Sequence, residues 1–303
     1  MDNDSNKVVK LSDDARALIV QRKAACPFIG SAVAQGLLPV LNDARNPLAS
    51  IEEVRGLGNR GGGDLGNVLV MFASGNHARM RGDSGELDQD APAGLFSLEF
   101  PGSQGSHPGH SGILEDDPTV LDSGRLSEAD FERLTSRARD GLITRSEVGR
   151  FIAENLIKDN NSKVSGIETV KLLARDLGQL AEAIAKVIDS ALLRHLPFFH
   201  HDASHRKIAE KFTKLTGEEN LIGSAGEFGL LFAFLANKPG AQEIKEEKGE
   251  PALAVEDLKA MFVEKRLPDG WETWKKTRTD WVENTFELAM SAVKEYHALK
   301  GAR

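Results

Sequence analysis

A single cysteine, Cys26, stands in a chain of 303 residues, so no disulfide can form within it. Basic residues are in the minority: 38 Lys and Arg against 46 Asp and Glu give a formal net charge of −8. That balance argues against a general nucleic-acid binder, which needs a basic face to neutralise phosphates. No stretch is apolar for long enough to span a bilayer. Met1 to Lys10 is polar and charged, without the apolar core of a secretory signal. These absences lead us to expect an intracellular, cytoplasmic protein. Internal repeats are missing too, and alternating strand patterns are scarce. The remaining composition, 40% hydrophobic and 28% charged, is that of an ordinary globular chain long enough to bury a substantial core.

Helical signals fill most of the rest. Residues 1–12 read as a disordered lead, and 13–303 as one domain. Asp13 to Lys23 predicts a short amphipathic helix. Phe28, Ile29, Ala32, Val33, Leu37 and Leu38 form a helix-like run that starts behind Pro27 and ends near Gly36 and Pro39. Ser50 with Glu53 makes a capping box, as does Thr144 with Glu147, and Ser127 opens a further helix through Phe131 and Leu134. Between about residues 56 and 112 glycine is dense, which predicts a long loop region holding one buried helix or strand at Asn67 to Ala73. Gly56-Leu57-Gly58 within it follows no strand of the kind a dinucleotide-binding turn needs. A long amphipathic helix is expected from about Gly166 to His195, stopped by Pro197, and another from Ser204 to Leu215. Phe228 to Ala236 is strongly apolar, Gln242 to Gly249 reads as an exposed connection, and Val255 to Glu264 and Trp281 to Leu299 read as helices. The fold class is mostly α.

Several stretches carry chemistry. Cys26 precedes a proline that favours the first helical position, so it should meet the free N–H groups and positive dipole end of a helix. That setting should lower its pKa toward thiolate, the form that ligates a metal such as haem iron; the plainer reading is a small buried apolar residue. Glu227 lies against an apolar run, where desolvation would raise its pKa into the range useful for general acid–base work, unless it merely faces solvent at a helix start. Glu115-Asp116-Asp117 is either an exposed acidic turn or a site for a hard cation. His200-His201-Asp202 competes with it, and His201 with His205 has the spacing of a zinc pair. A histidine cluster there is equally a helix cap.

In order and spacing these stretches resemble the haem-thiolate peroxidases, the family of chloroperoxidase and the unspecific peroxygenases. Its members open with Pro-Cys-Pro, a short helix and Gly-x-x-Pro; here Ala25 replaces the first proline, while Cys26-Pro27, Gly36 and Pro39 keep their offsets. The resemblance implies that Cys26 is the proximal ligand of haem b. Glu115, Asp116 and Thr119 are similar to the family's Glu-His-Asp-x-Ser or Glu-Gly-Asp-x-Ser motif, with Asp116 in place of His or Gly. They would bind Mg²⁺ or Mn²⁺ beside a haem propionate. Ser224-Ala225-Gly226-Glu227-Phe228-Gly229 looks like the distal segment, which would make Glu227 the residue that takes a proton from hydrogen peroxide and returns it to the leaving oxygen. No counterpart of that glutamate's usual Arg or His partner is present. Leu253 to Trp271 resembles the family's C-terminal helix with its Arg-x-Pro-x-x-Trp ending. The implied protein is a helical domain of the chloroperoxidase type acting with peroxide on a small organic substrate. Two alternatives stand beside it. Asp140-Gly141-Leu142-Ile143 with Glu147, and Ser123 to Leu126 with Asp130, echo EF-hand calcium loops without their early acids; and the same helical fold could exist without haem.

Overall fold

The computed structural model describes residues 7–22, 26–42, 47–72, 95–98, 113–115, 125–158, 220–235, 238 and 249–301. The helices expected at 166–195 and 204–215, the His200 cluster, residues 242–248, Asp116 and Thr119 lie outside them.

Capping residues explain where several helices begin. α1 is Asp13–Arg22. α2 (Pro27–Ala34) opens on Pro27, with Cys26 as its N-cap residue. It is followed by Gly36 at φ 68°, a left-handed conformation that glycine adopts without steric cost. Two short strands come next, β1 (Leu41–Asn42) and β2 (Pro47–Ser50). At the start of α3 (Ile51–Asn59) the Ser50 hydroxyl accepts from the N–H groups of Glu52 and Glu53, at 3.2 and 3.5 Å. α4 is Gly66–Phe72 and β3 is Leu95–Ser97; β4 (Leu114–Glu115) and β5 (Arg125–Leu126) follow. Ser127 caps α5 (Glu128–Thr135) by accepting from the Asp130 N–H at 3.4 Å. After β6 (Leu142–Thr144), Thr144 Oγ1 accepts from the Glu147 N–H at 3.3 Å to start α6 (Arg145–Lys158). The remaining elements are α7 (Asn220–Leu235), β7 (Ala252–Ala254), α8 (Val255–Phe262) and α9 (Arg278–Gly301). Among the described residues the chain is therefore mostly helical, as its sequence pattern implies.

The strands make three small antiparallel sheets, in the orders β1-β2-β3, β4-β5 and β6-β7. The first is extended by a bridge from Val8 to Leu41 and by the Val9 N–H, which donates to the Val40 carbonyl at 3.0 Å. Residues 8 and 9 are thus anchored, although the polar lead gave no sign of it.

The glycine-dense region also departs from expectation. Its apolar run, expected as a helix or a strand, is a helix, α4, and α3 continues through Gly56 and Gly58 to Asn59. Here glycine serves helix packing rather than looping. A Cβ at Gly58 would lie 2.5 Å from the Gly66 Cα, and one at Gly66 would lie 2.1 Å from the Arg55 carbonyl oxygen. Only side chains as small as hydrogen let the two helices meet so closely.

The core is centred on α6, α7 and α9, which pack on one another. α9 is set into notches on its partners. A Cβ at Gly149 of α6 would meet Ser291 Oγ at 2.3 Å, and one at Gly229 of α7 would meet Thr285 Oγ1 at 2.3 Å. Trp281, buried on α9, donates its indole N–H to the Gly226 carbonyl of α7 at 3.0 Å. On another side of α7, Phe234 packs edge-on against Phe28 of α2, with ring centroids 5.1 Å apart, and Phe28 meets Trp271 at 5.7 Å. α2 is fixed to α8 through the Ser31 hydroxyl, which donates to the Met261 carbonyl at 3.3 Å.

Candidate functional site at the start of α2

Three elements bring charged or nucleophilic groups together: the N-terminus of α2, the middle of α7, and the turn after α8. Cys26 is half-buried at the first of these. Burial pushes its thiol above the usual value of 9.0. The backbone N–H groups of Ile29 and Phe28 at the start of α2 pull the other way, as a helix N-terminus should, although the Cys26 side chain makes no capping hydrogen bond. The negative charge of Glu227 then adds to the rise, and the positive charge of Lys265 opposes it. The expectation of a lowered pKa is therefore reversed in the chain by itself. The helix end acts in the anticipated direction, but loss of solvent around the sulfur outweighs it. A bound metal would displace the thiol proton and take the place of the lost solvation.

Glu227 is half-buried and lies well inside α7, which starts at Asn220, rather than at a helix start. Its neighbours are committed elsewhere: Phe228 packs edge-on with Phe151 of α6 at 6.2 Å, and Gly229 abuts Thr285 of α9. Glu227 shares its helix face with Phe234, two turns or about 10 Å further along the axis. Since Phe234 contacts Phe28, that face is the one turned toward α2. The carboxylate and the thiol thus come from separate helices and lie within electrostatic reach of each other.

Lys265 supplies the third group. It adopts φ 52°, uncommon for a residue with a side chain. The turn is held on both sides: the Arg266 N–H donates to the Ala260 carbonyl at 2.8 Å, and the Leu267 N–H donates to Gln35 Oε1, just beyond α2, at 2.9 Å. Burial lowers the Lys265 pKa, and the Cys26 charge partly restores it. No local pattern marks this lysine, because its link to Cys26 spans most of the chain.

A soft sulfur donor at a helix N-terminus, with an acid from another helix nearby, is a donor set that fits a thiolate-ligated haem. It does not suit a hard cation, which takes oxygen ligands. For the expected cation site, the backbone of Glu115 lies in β4 opposite Arg125 of β5. Among the described residues no group of three or more His, Cys, Asp and Glu is placed to hold a metal ion.

The EF-hand echo at Asp140 has a clear structural answer. α5, a loop, β6 and α6 form a helix–loop–helix, and β6 pairs with β7 ahead of α8. Counted from Ser136, Gly141 falls at the sixth place of a calcium loop and Glu147 at the twelfth. Asp140 and Gly141 make the sharp turn at φ 52° and 80°. The loop supplies its own cations, however. Arg137 and Arg139 approach the Glu147 carboxylate at 3.6 and 3.7 Å. The Leu142 carbonyl, which in a calcium loop faces the ion, accepts instead from the Arg139 N–H at 2.9 Å.

One further charged residue is wholly enclosed. Lys276 donates its ammonium to the carbonyls of Trp271 and Trp274, at 2.9 and 2.7 Å. It also lies 5.4 Å from the Trp271 ring centroid and 5.6 Å from that of Phe234. Burial lowers its pKa to about 8; the Glu272 charge opposes this and the Arg60 charge adds to it. Among the described residues no helix is long and apolar enough to cross a membrane. Comparison of the chain with protein-family models, with curated proteins and with solved structures gives no match.

Proposed function

We propose that this protein is a haem-thiolate peroxidase or peroxygenase that uses hydrogen peroxide to oxidise or oxygenate a small organic substrate. The observation that carries the reading is the meeting of Cys26 and Glu227. The sequence resemblance assigns them to opposite sides of one haem, and they come from different helices to within electrostatic reach. Phe28 and Phe234 pack between those helices and supply apolar surface beside them.

Haem, when bound, supplies the iron and the redox chemistry that cleaves the O–O bond. Cys26 would hold the iron through its sulfur, and the backbone N–H groups at the start of α2, which already favour the anion, would help to stabilise the thiolate charge. Glu227 would take the proton of hydrogen peroxide on a carboxylate oxygen and return it to the departing oxygen, which leaves as water. Glu115, Asp116 and Thr119 are proposed to hold Mg²⁺ or Mn²⁺ beside a haem propionate. Support for that part comes from the motif, whose oxygen donors suit a hard cation.

The test is the absorption spectrum of protein produced with added haem, reduced under carbon monoxide, alongside Cys26→Ala. A band near 450 nm (about 450) in the wild type and its loss in the variant are expected of thiolate ligation. A wild type that takes up no haem, or a band at about 420 nm indifferent to the substitution, would leave a helical protein without this chemistry.

A further inference from the structure

Among the described residues the cation at Lys265 has no hydrogen-bond or ion-pair partner, although acids lie close to it in sequence. Glu264 and Asp269 are engaged by Arg266, at 3.4 and 3.0 Å. Among the described residues, the Cys26 charge acts on Lys265, and that of Glu227 acts on Cys26. Meanwhile the lysine is half-buried and sits on a left-handed backbone, an arrangement that costs free energy unless the surrounding structure imposes it. Here it is imposed, because the bonds from Arg266 to Ala260 and from Leu267 to Gln35 clamp the turn to α8 and to the end of α2. A partly desolvated ammonium held in a fixed place, with no partner among the described residues, is suited to an anion brought in from outside.

We infer that Lys265 binds the carboxylate of a molecule held between Cys26 and Glu227. Two sources share that chemistry: a propionate of haem, or the carboxylate of an organic substrate. The inference rests on the proposed function for the identity of the haem, while the anion site itself stands on Lys265. A carboxylate here would pair with the lysine through a charge-assisted hydrogen bond, and would have to approach without crowding Glu227. Substrates carrying a second acid beside the first would be disfavoured for that reason.

Binding of haem and of haem dimethyl ester to the full chain would be measured by the growth of the haem absorption band, in wild type, Lys265→Met and Lys265→Arg. Dodecanoate and dodecanol would be titrated against the same three proteins by tryptophan fluorescence. If the anion is a propionate, haem affinity falls about tenfold or more in Lys265→Met and recovers in Lys265→Arg, while the dimethyl ester binds all three alike. If it is a substrate carboxylate, haem affinity is unchanged and dodecanoate alone loses about tenfold or more in Lys265→Met. Equal binding of haem and of dodecanoate to wild type and Lys265→Met, with unchanged circular dichroism, would overturn the inference. A wild type that binds no haem but loses dodecanoate on Lys265→Met would overturn the proposed function and support the anion site.

Discussion

Lys276→Met should make the stability of this protein respond less to alkaline pH, and the size of the effect follows from the surroundings of the ammonium. The folded chain holds the Lys276 pKa at about 8, against 10.5 for an unhindered lysine. One pKa unit corresponds to about 1.4 kcal/mol, so the two states differ by roughly 3 kcal/mol in how they hold the proton. Because the folded pKa is the lower one, the unfolded chain binds more protons between pH 8 and 10.5. Stability from this residue therefore rises with pH across that window, and is flat below it and above it. At pH 7 the methionine leaves the Trp274 carbonyl without its donor, whereas the Trp271 carbonyl keeps the Trp274 N–H at 3.2 Å. One carbonyl stripped of its partner costs about 2 kcal/mol. The difference between wild type and variant should then grow from about 2 kcal/mol at pH 7 toward about 5 kcal/mol near pH 10.5, since methionine does not titrate. Urea denaturation of both proteins at half-unit pH steps gives this difference directly, and other alkaline effects cancel in the subtraction. A difference that stays level or shrinks as pH rises from 8 would refute the reasoning.

Glu227→Gln should retain haem while peroxide turnover falls by about 10²- to 10⁴-fold; stopped-flow mixing with peroxide measures it, and full activity would remove Glu227 from catalysis. Gly229→Ala should destabilise by about 1–3 kcal/mol, since its Cβ would lie 2.3 Å from Thr285 Oγ1. Gly56→Ala, which meets nothing within 4 Å on the exposed side of α3, should instead stabilise by about 0.5–1 kcal/mol. Both are read from thermal or urea midpoints, and equal effects would contradict the packing described. For Glu154, burial works to raise the carboxyl, but the hydrogen bond and charge of Arg137, followed by the charges of Arg133 and Arg150, hold it below its usual 4.5. Its contribution is present above pH 4.5 and is lost as pH falls through the lower folded value. Glu154→Gln should flatten the acid limb of the stability curve, and an unchanged limb would count against the network. Millimolar Ca²⁺ should leave the melting temperature unchanged, because Arg137 and Arg139 already occupy Glu147; a rise of several degrees would reinstate a calcium loop.

Features governed by neighbours in sequence were the readable ones. Ser50, Ser127, Thr144 and Pro27 each start a helix where a cap or a first-turn proline directs, because their partners are two or three residues away. The strands were missed because runs of two to four residues are too short to show alternation. Gly58 and Gly66 misled because glycine is equally the residue of loops and of tight helix contacts, and only the fold decides between them. At the candidate site, Cys26 and Glu227 stood out as a lone thiol behind a helix-starting turn and an acid in an apolar run. The direction of the Cys26 shift did not, since it depends on how deeply the folded chain buries the sulfur. Lys265 itself has no local signature: an anion partner becomes visible only when its sequence neighbours are seen to be engaged by Arg266.

The β6–β7 ladder has a kinetic consequence. Ile143 pairs with Leu253, so three short rungs close a loop of roughly 110 residues, a search that cannot be completed early. Doubling or halving the intervening length changes the closure cost by only about 0.6 kcal/mol, so this join tolerates large insertions thermodynamically while governing when the chain can finish folding. Everything that depends on α8 being in place, including the turn that carries Lys265, must wait for that late event. During synthesis, the helices up to α6 would emerge long before the partner strand that completes them. Protection of the Leu253 amide in pulse-labelled refolding should accordingly lag behind that of amides in α6.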